Sequence, residues 1–600
     1  MTEGSSNYWA RFMQRRHNRR ALVRGAVLAG AGLSAVGLAC KASPGANGGA
    51  STSTSGGAGQ AQPKSAVSGL IGRTQAEPKG DTPVTGGTLN WYIGANPPTM
   101  DPHQNVSVNT LYMASGALSR IYRFKTGWDV AVGNNLDVEP DLGASAESPD
   151  GVTWTVKLRP NLKMQNVAPL NGRAVDPEDI KATFAKATLP ASVNAGNLGM
   201  IDPAQIETPD KQTVVFKLKY PYAPFPKLLA SGAYSWIMPK EAAAGAYDTA
   251  KKIVGSGPFI LDTYTPDVAV TFKKNPDYYE QGRPYVDGVR VAIIVDPNAR
   301  IAQFTGGNLD YLGMPLLENV PTIKQQNPKA DAIRNVSSGN GVMYYNLRDA
   351  SSPFQDIRVR QALNLAMDRD AYASGSGYAP GEYVQTFTVP PNVGKWAAMV
   401  EDYPADTLQS YKFDLVKAKQ LMEAAGVKSI KMVYPAGNPA DPQLGRQADI
   451  ARNMLSQLPW NLSYANVDYN KDWINGGKGI GYPGGGVPAD SMAWWGWSSR
   501  TEVDEYLFSF WHSKGAGNFM HVTDPQIDAG IDKARTVLNE DDRIKAYKDV
   551  QRYIAAKNYV LMGMVNGLAF YFVPPRAHNF LLGDTYSPGS AYWAKMWIKA

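Results

Sequence analysis

Apolar positions along the chain change their period several times, and each period predicts an element. Thr88–Ile93 reads TLNWYI and is followed by the turn-forming Asn96-Pro97-Pro98-Thr99-Met100-Asp101-Pro102, so a strand is expected there. Val152, Trp154, Val156 and Leu158 alternate with polar residues, and Val214, Phe216 and Leu218 repeat the pattern. A period of two is that of a half-buried strand. Between these runs, Asp176-Pro177-Glu178-Asp179 supplies an N-cap, a first-turn proline and acids at the positive end of a helix dipole. The second half turns helical. Over 357–370, Val359, Ala362, Leu363, Ala366 and Met367 fall on one helical face, and over 414–425 so do Ala418, Leu421, Met422 and Ala425, stopped by Gly426. Asp524-Pro525 starts a helix bearing Ile527, Ile531, Ala534 and Leu538, and a further helix carries Ile544, Tyr547, Val550 and Ile554. Strands and helices without regular alternation predict a mixed α/β or α+β fold.

The first 85 residues follow a different pattern. Residues 11–24 read RFMQRRHNRRALVR, and the fifteen residues 25–39 are small or apolar and uncharged. That run is too short for a bilayer, which needs about 20 residues, but it fits a secretory signal. Asn18-Arg19-Arg20-Ala21-Leu22-Val23-Arg24 resembles a twin-arginine export signal. Gly37-Leu38-Ala39-Cys40 resembles a bacterial lipobox, with Gly37 where an aliphatic residue is usual. On this reading residues 1–39 are removed and Cys40 carries a lipid anchor whose two acyl chains suffice for stable attachment. On the other, cleavage releases a soluble protein and Cys40 is incidental. Residues 40–85, crowded with Gly, Ala, Ser, Thr and Pro, cannot bury enough apolar area to order themselves and read as a flexible tether.

Composition narrows the chemistry. With 600 residues, 44% hydrophobic and 10% aromatic, the chain is neither disordered nor collagen-like. Its formal charge of +7 is concentrated at the start, where residues 1–40 hold six Arg against one Glu, which leaves +2 for the remainder. No basic footprint for nucleic acid remains. Cys40 is the only cysteine, which excludes a disulfide framework, a thiolate zinc site and a Cys–His catalytic pair. The five histidines, His17, His103, His512, His521 and His578, share no metal-ligand spacing. No cofactor is expected.

Several ordered stretches resemble one family, the extracellular solute-binding proteins of family 5, which are peptide, nickel and oligosaccharide receptors of ABC importers. Pro98-Thr99-Met100-Asp101-Pro102-His103 is similar to its PxxLDPH element, with Met100 in place of Leu. Glu139-Pro140-Asp141-Leu142-Gly143-Ala144-Ser145, and the run from Ser148-Pro149-Asp150-Gly151 through Trp154 to Leu158-Arg159, resemble two further motifs. So do Gly255-Ser256-Gly257-Pro258-Phe259, Lys274-Asn275-Pro276-Asp277-Tyr278-Tyr279, and the run from Pro353-Phe354-Gln355-Asp356 to Ala362-Leu363, completed by Asp368-Arg369. The resemblance covers the chain from about residue 86 onward. It implies a mixed α/β, two-lobed clamshell in the manner of periplasmic binding proteins, with an extra subdomain on the first lobe. Residues 86–128, 253–340 and 566–600 would form lobe I, 129–252 the extra subdomain and 341–565 lobe II, joined by strands near 255–259 and 344–346. Ligand closes the jaws because it touches both lobes only when they are shut. The motifs also have a plain structural role: Asp150-Gly151 makes a turn, Asp356 caps a helix, and Arg358 and Arg360 form ion pairs.

The resemblance also points to ligand residues. Residues 490–511 read DSMAWWGWSSRTEVDEYLFSFW and hold Trp494, Trp495, Trp497 and Trp511. In the family this segment lies on the cleft wall, where Trp497, Trp494 or Trp495 would stack on ligand; by composition alone, each fills core. Trp91, Tyr92, Tyr344, Tyr345 and Asn346 are further candidates because their strands approach the cleft. Oligopeptide receptors carry an Asp three residues after the segment's Trp, which neutralises the ligand's α-amino group. Counted from Trp497, that position is Arg500, a cation that would repel ammonium and favour a carboxylate. In the alternative alignment Arg500 pairs on the surface with Glu502 or Asp504, and Asp504 is the substitute amino-group anchor.

Gly479-Ile480-Gly481-Tyr482-Pro483-Gly484 fits GxGxxG as text, but it contains a proline and opens no helix, so it reads as a loop at the cleft mouth. No GxxxxGK(S/T), GxSxG or HExxH occurs, and ATP hydrolysis must belong to a partner. The expectation is a monomeric receptor, not an enzyme, exported and lipid-anchored at the outer face of the cytoplasmic membrane. It would pass a peptide or other small solute to an ABC permease. The other readings are a receptor for a non-peptide solute such as an oligosaccharide, a secreted hydrolase and a sensor-coupled receptor.

Overall fold

The computed structural model describes residues 71–74, 82–105, 107–126, 137–336, 341–436, 442–474, 479–481, 485–496, 500, 502–515, 517–560, 564–580 and 593–599. The chain divides into two units, 1–63 and 64–600, and every described residue belongs to the second. The export signal, Cys40, nearly all of the tether and Trp497 lie outside the described residues.

Two large apolar cores organise the second unit. The first draws on residues from Leu89 to Val291, together with Ile333 and returning residues Val573, Ala577, Phe580 and Trp593. The second lies within residues 342–565. In the first, Thr88–Ile93 pairs in parallel with Gly288–Ile293, which continues antiparallel through Ala269–Lys274 to Phe259–Thr265. A separate antiparallel sheet runs Gly143–Glu147, Thr153–Leu158, Thr213–Lys217, Ile206–Asp210. Trp154, Val156 and Leu158 are its buried face, as their alternation predicts. The helix Pro177–Ala187 starts where the sequence places it, because Asp176 and Asp179 form a reciprocal capping box.

The second core is built on the sheet Gly341–Tyr345, Ser491–Gly496, Ser429–Ala436, Asn461–Asp468. Its helices follow the expected stripes with two differences. The helix expected over 357–370 stops at Ala366, because Met367 is extended and the Asp368 side chain accepts from the N–H groups of Asp370 and Ala371, starting a new helix at Arg369–Gly375. Leu538 lies past the end of Pro525–Thr536 and is 51% exposed rather than part of the buried stripe. Asp356 caps its helix and pairs with Arg358. Arg360 instead is buried, donates to the carbonyls of Phe354, Gln355 and Lys557, and stacks on Tyr559.

The strand Met564–Val573 bridges the cores. Its first residues pair with Tyr383–Thr386 and its last with Asp331–Val336. Residues 255–259, expected at a crossing, lie inside the first core. Their glycines serve close approach: the Gly257 N–H donates to Ala117 O at 2.9 Å, and a Cβ there would stand 2.5 Å from the Ala117 carbonyl carbon.

Two polar clusters hold the family-like motifs in the first core. Asp101, wholly buried, accepts from the His103 N–H at 2.9 Å and from Thr249 Oγ1 at 2.7 Å, and pairs with Lys186. The His103 ring donates from Nε2 to Trp236 O at 3.0 Å and accepts at Nδ1 from Asn194 Nδ2 at 3.1 Å. That leaves Nδ1 facing a donor. Burial drives the His103 imidazole down to about 4, against the opposing pull of Asp101. The second cluster centres on Arg123, whose Nε meets Glu139 at 2.6 Å and whose Nη2 meets Glu280 at 2.5 Å. Tyr279 Oη donates to buried Asp141 at 2.8 Å, and Lys595 reaches Thr126 Oγ1 at 2.9 Å and Glu139 at 3.5 Å. Burial would raise the Glu280 carboxyl, but the charges of Arg123 and Arg283 outweigh it and hold it below the usual range.

Candidate functional site

The strands Gly341–Tyr345 and Ser491–Gly496 set most of the predicted residues by their register. Val342 faces Trp495, Met343 faces Trp494 and Tyr344 faces Ala493. Neighbouring tryptophans on a strand must point to opposite faces. Trp494 is fully buried, 5.9 Å from Tyr372, with its ring against Gly341, where a Cβ would approach to 2.2 Å. Trp495 is half-buried and meets Tyr469 at 5.5 Å, Trp473 at 5.7 Å and Tyr434 at 6.2 Å. Only Trp495 of this pair keeps ring surface for a ligand. Gly479 and Gly481 pack directly on Trp473, which ties the glycine-rich loop to the same aromatic cluster.

The remaining aromatic candidates are interior. Tyr344 is buried edge-on to Phe519 at 5.4 Å, and its hydroxyl donates to Gly496 O at 3.2 Å. Tyr345 donates to the carbonyls of Tyr559 and Asn558. Asn346 organises its own turn: Nδ2 donates to Val487 O at 2.7 Å, and Oδ1 accepts from the N–H groups of Arg348 and Asp349. Trp91 stacks on Tyr311 at 3.9 Å with Trp593 at its edge. Tyr92 bonds to Gly313 beneath the Arg300 guanidinium at 5.3 Å.

Arg500 is half-buried, with its guanidinium 5.2 Å from the Phe510 ring. Its N–H donates to Tyr506 Oη at 2.8 Å and its carbonyl accepts from Asn392 Nδ2 at 3.1 Å, which pins the loop. Burial pushes the Tyr344 hydroxyl far up, and the Arg500 charge opposes that shift. The Tyr344 hydroxyl is itself bonded to the strand carrying Trp495. Glu502 and Asp504, offered as surface partners for Arg500, are both buried.

Asp504 sits in the first turn of the helix Val503–Trp511, where a carboxylate complements the dipole. Its Oδ2 accepts from Tyr222 Oη at 2.7 Å, and its Oδ1 accepts from Tyr547 Oη at 3.0 Å with Arg535 Nε at 3.1 Å. The Arg535 guanidinium lies 4.0 Å from the Phe508 ring and 4.8 Å from that of Tyr222. Both oxygens of Asp504 thus meet protein groups in this arrangement. Glu502 caps the same helix by accepting from the Asp504 N–H at 2.6 Å. Burial lifts its carboxyl to about 7, with the Lys227 charge opposing. Sequence reasoning did not select Tyr222, Lys227 or Arg535. Arg535 carried a signal, since it lies four residues after Ile531 and so falls on a core stripe.

Among the described residues no cluster of His, Cys, Asp and Glu could hold a metal, and no helix is long and apolar enough to cross a membrane.

Residues 137–518 match the family described as bacterial extracellular solute-binding proteins, family 5 Middle. The glutathione-binding protein GsiB of Salmonella typhimurium is 26% identical over 476 residues, 77% of this chain and 86% of that protein. The heme-binding protein A of Haemophilus influenzae is 25% identical over 506 residues, 79% of this chain and 86% of that protein. Among solved structures, AgaA of A. tumefaciens R10 in complex with agropinic acid superposes with a TM-score of 0.70 at 21% identity, covering 86% of this chain and 99% of AgaA. DppA of Helicobacter pylori in complex with the peptide STSA gives 0.70 at 21% over the same shares. These likenesses fix the fold as the mixed α/β, two-lobed binding-protein clamshell with a subdomain added to the first lobe. The chain belongs to the bacterial extracellular solute-binding proteins of family 5, the binding proteins of ABC importers and not enzymes.

Proposed function

We propose that the chain captures a peptide or peptide-like solute with a free carboxylate between its lobes and delivers it to a membrane permease driven by a separate ATPase. The observation that carries this reading is Arg500, a half-buried cation 5.2 Å from the Phe510 ring, at the position where oligopeptide receptors carry an Asp. A guanidinium in partly dry surroundings pairs with a carboxylate through two parallel hydrogen bonds and repels an ammonium. Half-buried Trp495, backed by Tyr469, offers a flat face for an apolar or ring-bearing part of the solute. The partners in relatives' names and structures, glutathione, the peptide STSA and agropinic acid, support a carboxylate-bearing solute. Lobe I is assigned to 86–128, 253–340 and 566–600, the added subdomain to 129–252 and lobe II to 341–565, an assignment supported by the two cores.

Calorimetry against a peptide library with free and blocked termini tests the reading. Arg500→Asp should weaken free-carboxylate ligands at least tenfold and strengthen those with free amino termini, because reversing a charge at a desolvated contact exchanges attraction for repulsion. Trp495→Ala should weaken ligands with ring-bearing side chains by about 1–3 kcal/mol, as expected of an interface anchor. If Arg500→Asp leaves both affinity and terminus preference unchanged, Arg500 lies outside the ligand's reach.

Anchoring belongs to the same proposal, with Cys40 lipidated after removal of residues 1–39 and the tether holding a monomeric body near the membrane's outer face. Cys40→Ala should still be exported but should appear in the soluble fraction. A variant that stays with the membrane through a carbonate wash would remove the lipid anchor from the reading.

A further inference from the structure

Polar groups from the added subdomain reach into the second core at a place that Arg500 and Trp495 do not occupy. Tyr222 belongs to the first core, yet its hydroxyl donates to Asp504, 282 positions away. Beside it, the Ala223 N–H donates to Arg535 O at 2.9 Å, and the faces of Tyr222 and Tyr220 lie under the Arg535 guanidinium at 4.8 and 5.9 Å. One turn on, Lys227 Nζ stands 4.2 Å from the centre of the Trp396 ring, and burial lowers its ammonium against the opposing charge of Glu502. Leu538 completes the contact, since its side chain lies against Gly151 at the turn before the subdomain's strand. On the far side, Asp504, Arg535, Glu502 and Trp396 all come from residues 341–565.

The bonding in this contact is incomplete. Arg535 Nη1 and Glu502 Oε1 are buried with no hydrogen-bond partner among the described residues, and Arg535 Nε meets Asp504 as a charge contact off the hydrogen-bond direction. Buried charged atoms lacking bonds regain hydration when the surfaces part, so such a contact is held near balance rather than locked. A permanent core joint would show the opposite, an apolar seam or a fully bonded network.

We propose that Tyr222 and Lys227 are positioning residues that clasp the subdomain to lobe II when the jaws close, so that a protein–protein contact outside the ligand cleft sets part of the closing equilibrium. The inference rests on the lobe assignment above but not on the identity of the solute. A ligand binding only the closed form has its apparent affinity scaled by the fraction already closed. The clasp would therefore raise affinity for every solute the cleft accepts, whereas Arg500 and Trp495 would choose among solutes.

The test uses the full chain without ligand, carrying Cys40→Ala and spin labels at Lys251→Cys and Lys545→Cys, two exposed positions on opposite sides of the clasp. Electron–electron double resonance then reads the distance between them. Tyr222→Phe removes the crossing bond and should raise the open-to-closed ratio about fivefold, the factor given by one ordinary net hydrogen bond. Lys227→Met should shift the ratio in the same direction. Tyr547→Phe removes a bond to the same carboxylate from within lobe II, and should leave the distance distribution unchanged. An unchanged distribution for Tyr222→Phe overturns the clasp, as does an equal shift for Tyr547→Phe. A fall in melting temperature for Tyr222→Phe with no change in distance also overturns it, because Tyr222 would then be fixed packing. Since no solute is present, failure here leaves the carboxylate reading of Arg500 standing, and failure of that reading leaves this measurement intact.

Discussion

Replacing Arg123 by methionine should destabilise the protein by about 3–5 kcal/mol, the usual consequence of removing one partner from a buried ion pair. Arg123 is only 5% exposed and is held between Glu139 and Glu280. Methionine matches much of its volume but supplies no charge, so two half-buried carboxylates are left facing each other and buried Asp141. Of the nearby cations, Lys595 reaches Glu139 only at 3.5 Å and Arg283 meets Glu280 at 2.7 Å. Urea unfolding followed by tryptophan fluorescence at neutral pH gives the measurement. Adding Glu280→Gln to Arg123→Met should recover part of the loss, because the amide still accepts a hydrogen bond without carrying an uncompensated charge. A loss below about 1 kcal/mol would mean that water already reaches the cluster and that its geometry contributes little.

Acid should expose a second dependence, through His103. Its folded-state value near 4 lies below the ordinary 6.5, so between these values the unfolded chain binds the proton more readily than the folded one. Stability therefore falls as pH drops from about 6.5 to 4 and is flat for this group above that window. The shift corresponds to roughly 3 kcal/mol in total. The structural reason is that the added proton would sit on Nδ1, against the amide donor of Asn194, in a site closed to water. His103→Gln keeps a donor for Trp236 O but does not titrate. Its stability difference from the parent should shrink by about that amount between pH 7 and pH 4. Parallel curves across the window would show that His103 takes up its proton without cost, and this account would then be wrong.

Local pattern carried the elements, and distance in sequence hid their connections. The alternation at Trp154, Val156 and Leu158 and the capping acids at Asp176 and Asp356 are decided within a few residues, so they were legible. The break at Met367 was also local, yet the apolar stripe ran past it. In the sequence Asp368 reads as part of a family motif, and the fold makes it the cap of a second helix. The candidate site divides in the same way. That Trp494 and Trp495 face opposite sides follows from strand geometry, but which side meets the second core depends on pairing with Gly341–Tyr345, some 150 residues earlier. In the sequence Asp504 reads as a partner for Arg500 or a substitute amino-group anchor. Its partners Tyr222, Arg535 and Tyr547 come from three other segments, and no spacing joins them.

The segment 593–597 has a temporal consequence. Trp593 packs among Trp91, Phe259 and Phe272, and Lys595 reaches back to Thr126, so the core begun at residue 89 lacks these pieces until about 500 further residues have been made. Among the described residues, the buried members of the second core lie between 342 and 565. Domains usually mature in the order in which the ribosome emits them. Here that order is reversed: residues 342–565 can settle first, while the segment from residue 89 waits with its aromatic surface uncovered. A nascent chain that stalls before residue 593 would therefore expose the core begun at residue 89, and quality control would meet that lobe as the unfinished one.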